Sequence, residues 1–453
     1  MIDLLYYALA FVLALGVLIV VHEFGHYWVA RRLGVKVLRF SVGFGKPLWT
    51  RRFGRDRTEL VIGALPLGGY VKMLDEHEGD VPRDQLDRAF NRQPVWKRIP
   101  IVAAGPFFNF LFAILAYWAV FGVGMEGLRP VVGKVVEGSI AERGGFREGD
   151  LVLAFDGKDV QSWGQRRLYL FRKALDREIV NVEVQDGEGR IQHRLLDLRE
   201  FPRGQVDAAL LERGIGLYGY QPQVLPVVGG IEEGPAARAG MREGDRIVAI
   251  GGETVEGWED VVAIVSRSAG RTLDVAVERD GQRVTLQVTP DAVAQDERTI
   301  GRINIRPQVG EIPPEMRVQV RMGALEAFRE ALANTWAMST LTVEMLYRMV
   351  TLEVSSKNIS GPITIAQYAG YSAKIGAVQF ILFLAVISIS LGVLNLLPIP
   401  ILDGGHLLYY FIEAVKGSPV SERVMAFGHQ IGIVVLVGLM VLAFYNDLTR
   451  IFQ

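Results

Sequence analysis

Four long apolar segments dominate the hydrophobic pattern of the chain. They cover roughly Leu4–Val29, Ile99–Met125, Ile375–Pro398 and Phe427–Phe444. A helix needs about 20 residues to cross a hydrocarbon core of about 30 Å, so the pattern predicts four membrane-spanning helices. The first segment is too long for a secretory signal peptide and lacks both a basic start and a small-residue cleavage site, so we predict that it is a retained span.

The long region between the second and third segments contains a tandem repeat. Residues Ala141–Asp150 match Ala236–Asp245, about 95 residues later, and the match continues as far as Trp163 and Trp258. Alternating valines near 180–184 and 284–288 predict strands. The shared A-x-x-x-G-Φ-x-x-G-D signature, in which Φ is apolar, resembles that of bacterial envelope PDZ domains, which bind extended peptides at a sheet edge. Two roles stay open: peptide binding, or bulk that filters access to the membrane.

A third pattern follows the repeats. Leu325, Phe328, Leu332 and Trp336 recur at helical spacing among charged residues, which predicts an amphipathic helix that packs on the repeats or the membrane surface. Glu344 and Arg348 argue against a span in its continuation, and we expect the helix to end at the break at 360–362.

Composition and charge narrow the function. Half of the 453 residues are hydrophobic and the net charge is −1, which gives no case for nucleic-acid binding. Cysteine is absent, so a cysteine nucleophile, a cysteine zinc site and disulfides are excluded. Basic residues are concentrated at 31–57, directly after the first span. The positive-inside rule therefore predicts that this loop is cytoplasmic and that the N-terminus and the repeats lie outside.

The first span carries the candidate chemistry. His22-Glu23-Phe24-Gly25-His26 is a His-Glu-x-x-His motif, which places both imidazoles on one helix face with the carboxylate nearby. The alternative, two capping or core histidines, is disfavoured because ionisable groups inside a span are costly. Catalytic zinc usually has three protein ligands, so a third is required elsewhere. By chemistry alone it could be Asp403 or His406, and His429 is a weaker candidate.

A second motif extends the argument. Asn395–Gly404 reads N-x-x-P-x-P-x-L-D-G, and together with the His-Glu-x-x-His motif it resembles the site-two protease family of intramembrane metalloproteases. The resemblance implies that His22, His26 and Asp403 bind Zn²⁺ and that Glu23 is the catalytic base. It also implies that Asn395 helps to hold substrate. His406 then has a structural role beside the ligands and is not itself a ligand.

The basic loop contains two glycine-rich stretches, Ser41–Gly45 and Leu65–Met73. They resemble the membrane-reentrant β elements of the same family. An extended substrate can hydrogen-bond to a sheet edge inside such a site. The substrate-binding candidates are therefore Gly43, Phe44, Gly45, Gly68, Gly69 and Tyr70. An ordinary cytoplasmic hairpin is the alternative.

We expect a polytopic α-helical membrane protein with four spans, two extracytoplasmic PDZ-like α+β domains and a membrane-reentrant β element. The expected segments are the first span with the zinc motif (1–34), the reentrant β region (35–97), the second span (98–125), the PDZ-like domains (126–221 and 222–309), an amphipathic helical linker (310–372), the third span (373–406) and the fourth span (427–447).

The resemblance implies a zinc endopeptidase of the bacterial inner membrane, with its active site toward the cytoplasm. Its partners would be membrane lipid and single-span substrates, namely anti-sigma-type proteins already trimmed outside and remnant signal peptides. Two other functions compete: a zinc-stabilised PDZ scaffold without protease activity, and a metal or proton transporter. Glu23 argues against the scaffold, and the scarcity of polar residues in the second span argues against the transporter.

Overall fold

The computed structural model describes residues 2–201, 210–295, 298–351, 354, 357 and 359–452. Within these ranges four helices are long and apolar enough to cross a membrane: Leu5–Arg32, Val95–Val123, Ala377–Leu396 and Glu422–Arg450. Each overlaps one predicted span, so the prediction of four spanning helices is confirmed.

Helix α1 (Ile2–Arg32) leads into a hairpin of β1 (Val37–Phe53) and β2 (Thr58–Met73). The register splits both strands, because Phe40 pairs with Leu60 on one side and with Val71 on the other. The hairpin is thus a mixed four-stranded sheet in the order 47–53, 58–63, 37–42, 69–73, in which the two central strands run parallel and each outer strand runs antiparallel to its neighbour. Gly43 and Gly45, with φ of 93° and 82°, turn β1 between its two halves. The strands predicted around the glycine-rich stretches are therefore present.

Helix α2 (Val95–Val123) packs closely against α1. The crossing is made by small residues: a Cβ built at Gly25 would lie 2.3 Å from the Ala104 carbonyl oxygen. Such contacts let two spans approach to backbone distance. Ile101, near the start of α2, packs with Val37 and Phe40 of the hairpin, whereas the end of α2 leads to the repeats. The hairpin and the repeats therefore lie at opposite ends of this span.

After β3 (Met125–Leu128), the two repeats share the order of their first seven elements. The first contains β4 (Val132–Val135), α3 (Ile140–Arg143), β5 (Leu151–Phe155), β6 (Lys158–Asp159), α4 (Arg167–Leu175), β7 (Ile179–Gln185), β8 (Ile191–Asp197), α5 (Leu210–Ile215) and β9 (Leu217–Gly219). The second contains β10 (Val224–Ile231), α6 (Pro235–Arg238), β11 (Arg246–Ile250), β12 (Glu253–Thr254), α7 (Trp258–Ser266), β13 (Leu273–Arg279), β14 (Gln282–Val288), β15 (Asp291–Gln295), β16 (Arg298–Arg302) and β17 (Ile305–Val309).

Each repeat has its own antiparallel sheet and its own core. The sheet orders are β6-β5-β7-β8 and β14-β13-β11-β10-β17, and both predicted valine strands are present as β7 and β14. The buried apolar clusters of the two repeats share no residue. Two sheet-rich domains are thus inserted between the second and third spans.

Strand β18 (Arg317–Val320), which the sequence did not predict, pairs with β3 and closes the insertion. Helix α8 (Ala324–Val350) then packs on α2 through Ala327 and Ala331. Its predicted apolar stripe points away from the protein: Leu325 and Trp336 are 63% and 71% exposed. Alanines allow a closer approach to α2 than bulky residues do, so the large side chains face outward.

The break at 360–362 does not end α8, which already ends at Val350. Pro362 instead begins α9 (Pro362–Ile375), because proline fits the first helical position, where no N–H donor is needed. Helices α10 (Ala377–Leu396), α11 (Asp403–Lys416) and α12 (Glu422–Phe452) complete the chain. The buried Asp447 carboxylate of α12 accepts bonds from the backbone N–H groups of Gly361, Ile363 and Thr364, and so fixes the start of α9.

Candidate metal centre

Three predicted ligands converge at the crossing of α1, α2 and α11. The Nε2 atoms of His22 and His26 lie 3.3 Å apart, and Asp403 Oδ2 lies 3.2 Å and 3.5 Å from them. Ligands placed tetrahedrally at about 2.0–2.2 Å from one zinc ion are separated by roughly 3.3–3.6 Å. Among the described residues, these three form the one group of His, Asp or Glu side chains close enough to hold a metal ion.

Asp403 reaches this position from the first turn of α11. The connection from α10 folds tightly on itself: a Cβ at Gly404 would lie 2.2 Å from the Leu397 carbonyl oxygen. Ile401 has a φ of 110°, which β-branched residues rarely adopt. This strained turn, placed two residues before Asp403, aims the carboxylate at the histidines.

The histidine tautomers agree with metal binding. His26 Nδ1 lies 2.9 Å from the Ile101 carbonyl oxygen of α2, to which it donates its proton. The Nε2 lone pair is therefore free for a metal, and a ring nitrogen that donates to a carbonyl is the usual arrangement of a metal-binding histidine. Asp403 Oδ2 is buried and has no hydrogen-bond partner among the described residues, as expected of a ligand atom without its ion.

Gly105 of α2 leaves the space for the ion. A Cβ built at this position would lie 2.3 Å from His26 Nε2 and 2.7 Å from His22 Cε1. Only glycine therefore fits between α2 and the two imidazoles. The donor set of two imidazoles and one carboxylate is one that zinc accepts in catalytic sites, so the residues present fit this metal.

Glu23 lies between the ligands and the hairpin. The backbone N–H of Val71 lies near its carboxylate, and a Cβ at Gly69 would lie 3.3 Å from Glu23 Cγ. The outer segment of the sheet, 69–73, thus runs directly beside the predicted catalytic base.

The other predicted hairpin residues form one cluster on this sheet. The Phe44 and Tyr70 rings stack with centroids 6.2 Å apart, and the Phe44 ring lies where a Cβ of Gly68 would be. The Arg39 guanidinium donates to the Tyr70 hydroxyl. Phe44 is 43% exposed, so one face of the cluster remains accessible.

The remaining candidates lie outside the three-residue group. The His406 ring contacts the His429 ring, with centroids 5.7 Å apart, rather than completing the group. Asn395 lies half-buried in the last turn of α10, before the turn that leads to Asp403. His77, a further histidine on the hairpin side, is exposed and bonds to Asp75.

Sequence reasoning did not assign a role to α2 in the site. Gly105 provides space, Ile101 orients His26, and Asn109 Nδ2 lies 3.1 Å from His22 Nδ1. The available signal was a Gly-Pro pair and a single asparagine within an otherwise apolar span. Pro106 has no N–H to give to the helix, and such interruptions inside a span are tolerated where neighbouring groups satisfy the freed carbonyls.

Known proteins resemble the chain over nearly its whole length. The model of peptidase family M50 matches residues 10–439. The regulators of sigma-E protease of Salmonella typhimurium and Escherichia coli are each 43% identical over 452 residues, which is 100% of both chains. A protein of Vibrio cholerae, named as a candidate zinc metalloprotease, is 41% identical over 455 residues and is also covered completely. The chain belongs to peptidase family M50, the site-two protease family of metallopeptidases.

Proposed function

We propose that His22, His26 and Asp403 hold a catalytic zinc ion, with which the protein hydrolyses peptide bonds of single-span proteins within or near the membrane. The observation that carries this proposal is the convergence of the three ligand atoms, 3.2–3.5 Å apart, at the crossing of α1, α2 and α11. Family membership supports the class of reaction.

A zinc ion held there would polarise the scissile carbonyl and make a water molecule acidic enough to attack near neutral pH. Glu23 accepts the proton that the water loses as its oxygen bonds to the carbonyl carbon. The same carboxyl group then gives this proton to the amide nitrogen as the C–N bond breaks. Its place between the ligands and segment 69–73 suits both transfers.

Hairpin segment 69–73 is proposed to hold the substrate. A helical peptide bond is shielded, since its carbonyl accepts a bond within the helix, so the substrate must be extended before attack. The outer edge of a sheet offers backbone groups that pair with an extended chain. Because this segment touches Glu23, a peptide paired with it would pass the reactive carboxylate. Gly43, Phe44, Gly45, Gly68, Gly69, Tyr70 and Asn395 are the proposed contacts.

The basic residues at 31–57 support an orientation in which the hairpin faces the cytoplasm of a bacterial cell and the repeats face the periplasm. We propose that the repeats, which share the PDZ-like signature, stand over the outer end of the spans. The metal centre lies in the last third of α1, toward the hairpin, and hence toward the cytoplasmic side of the inner membrane.

Two relatives are named for regulating sigma-E. By this relationship, we propose anti-sigma-type membrane proteins, already cut outside, as substrates in envelope stress signalling, and remnant signal peptides as further ones. The PDZ scaffold without activity would need no base beside the metal, whereas Glu23 lies there.

The deciding experiment compares the purified wild type with Glu23→Gln. Both should contain zinc, because the ligands are unchanged, but only the wild type should cleave a model single-span substrate, since an amide cannot accept the water proton. The loss should be large, on the order of 10²-fold or more. Retained turnover in Glu23→Gln would contradict the mechanism, and a wild type without bound zinc would contradict the metal site.

A further inference from the structure

A polar side chain without an assigned role lies against the metal centre. Asn109, in the middle of α2, is 0% exposed, and its Nδ2 atom lies 3.1 Å from His22 Nδ1. Its Oδ1 atom is also buried and has no partner among the described residues. A buried amide in an apolar span is retained only where it makes hydrogen bonds, so this residue requires a specific explanation.

The chemistry of His22 explains why a buried amide lies here. Its Nε2 atom points to the other two ligands, so in a metal-binding neutral imidazole the proton must be on Nδ1. That N–H then needs an acceptor, which an amide nitrogen cannot be. The oxygen and nitrogen of an amide are assigned from the hydrogen-bond network, and a rotation of 180° exchanges them. After this exchange Oδ1 accepts the bond from His22.

We infer that Asn109 is a positioning residue that accepts a hydrogen bond from His22 Nδ1–H and so fixes the tautomer and ring orientation of this zinc ligand. This inference rests on the proposed metal site. It gives α2 the same task at both histidines, because the Ile101 carbonyl already accepts from His26 Nδ1. One helix thus orients both imidazoles, and Gly105 between these positions leaves room for the ion.

A second contact holds Asn109 in place. The buried Ser388 of α10 donates from Oγ to the Asn109 backbone carbonyl oxygen at 2.8 Å. This bond joins α10 to α2 without touching the Asn109 side chain. Ser388→Ala is therefore a matched control, since it disturbs the same helix contact and leaves the proposed acceptor in place.

The test measures zinc affinity of the full-length protein in detergent by competition with a chelator. Asn109→Leu, which keeps the number and branching of the side-chain heavy atoms and removes the acceptor, should lower the affinity about 10- to 100-fold, as the loss of such supporting bonds does. Asn109→Asp keeps an acceptor and should retain most of the affinity. Ser388→Ala should match the wild type. The thermal unfolding midpoint of each metal-free variant is also measured, so that a folding defect is recognised.

Wild-type affinity in Asn109→Leu would overturn the inference, and so would equal losses in Asn109→Leu and Asn109→Asp or in Ser388→Ala. A ¹⁵N spectrum of the His22 ring needs no disruptive variant: the zinc-loaded wild type should carry its proton on Nδ1, and a bare Nδ1 would overturn the inference. If the wild type itself binds no zinc, the proposed function fails instead, so the two failures are distinguishable.

Discussion

At the scale of single residues, the metal centre depends on the missing side chain at position 105. An alanine Cβ there would lie 2.3 Å from His26 Nε2, and α2 cannot move away freely because α8 and α10 pack against it. Overpacking of this kind costs about 1–3 kcal/mol, so Gly105→Ala should weaken zinc binding roughly 10- to 100-fold.

The same helix offers the control. A Cβ at Gly122 would meet nothing within 4 Å, so Gly122→Ala should leave zinc affinity unchanged. Chelator competition on both proteins gives the comparison. Equal zinc binding in Gly105→Ala and the wild type would show that the ion does not lie in this space.

A second residue-scale prediction concerns the third ligand. Asp403→Ala should lower bound zinc far more than His406→Ala does, because Asp403 Oδ2 lies 3.2 Å from His22 Nε2 whereas the His406 ring contacts His429. Metal analysis of the two purified variants tests the assignment. Zinc loss confined to His406→Ala would reverse it.

At the scale of elements, the helices and strands that could be predicted are those that depend on a local sequence pattern. The four spans follow from unbroken apolar runs, and the hairpin strands follow from glycines that interrupt β-forming residues. Helix α11 was not predicted as a separate helix, because its apolar positions directly follow the third span and the predicted third span ended at 406. The pairing of β3 with β18 joins residues 125–128 to 317–320, and no local pattern reports so distant a contact.

The orientation of α8 could not be predicted for a different reason. Its apolar stripe was visible, but whether such a stripe faces protein or lipid depends on the neighbouring helix, not on periodicity. The third ligand shows the same limit, since chemistry alone left Asp403 and His406 open. The family resemblance favoured Asp403, and the structure brings its carboxylate to the two histidines.

The two repeats allow a matched test of acid stability. Asp245 is buried and accepts two bonds of 2.7 Å from the Arg279 guanidinium and one from the Arg242 N–H. Burial by itself would raise the pKa of Asp245, but these bonds lower it below its ordinary value. Such a carboxylate stabilises the fold above its unfolded pKa of about 3.9, and the contribution is lost as pH falls through the folded pKa.

Asp245→Asn should therefore destabilise the second repeat at pH 7 by about 1.5–3 kcal/mol, the range for hydrogen bonds to charged groups. The deficit should shrink as pH falls below about 4. In the first repeat, Arg194 Nε lies 3.8 Å from Asp150, so Asp150→Asn should cost less. Denaturant unfolding of fragments 222–309 and 126–221 measures both, and a deficit that does not change with pH would contradict the explanation.

At the scale of the whole molecule, the repeats form an insertion whose two ends are held together. Strands β3 and β18 pair antiparallel, so the chain leaves and re-enters the membrane part at one place. Arg166 of the first repeat forms an ion pair with Glu330 of α8. A cleft of about 990 Å³ lies between this repeat, α8 and the start of α10. A substrate that approaches from this side would have to pass the repeats.

This arrangement makes the filter hypothesis testable by excision. Deleting 131–307 and joining the ends with a short flexible linker keeps the β3–β18 pair, so the membrane helices should fold as before. If the repeats exclude substrates by bulk, the deletion variant should cleave an untrimmed single-span substrate that the full-length protein rejects. Both proteins should then cleave the trimmed substrate. If the repeats instead capture the new C-terminus of a trimmed substrate, the deletion should cleave that substrate more slowly. Incubating each substrate with each protein, and measuring substrate size by gel electrophoresis, decides between these outcomes. Unchanged selectivity between the two substrates would contradict the filter.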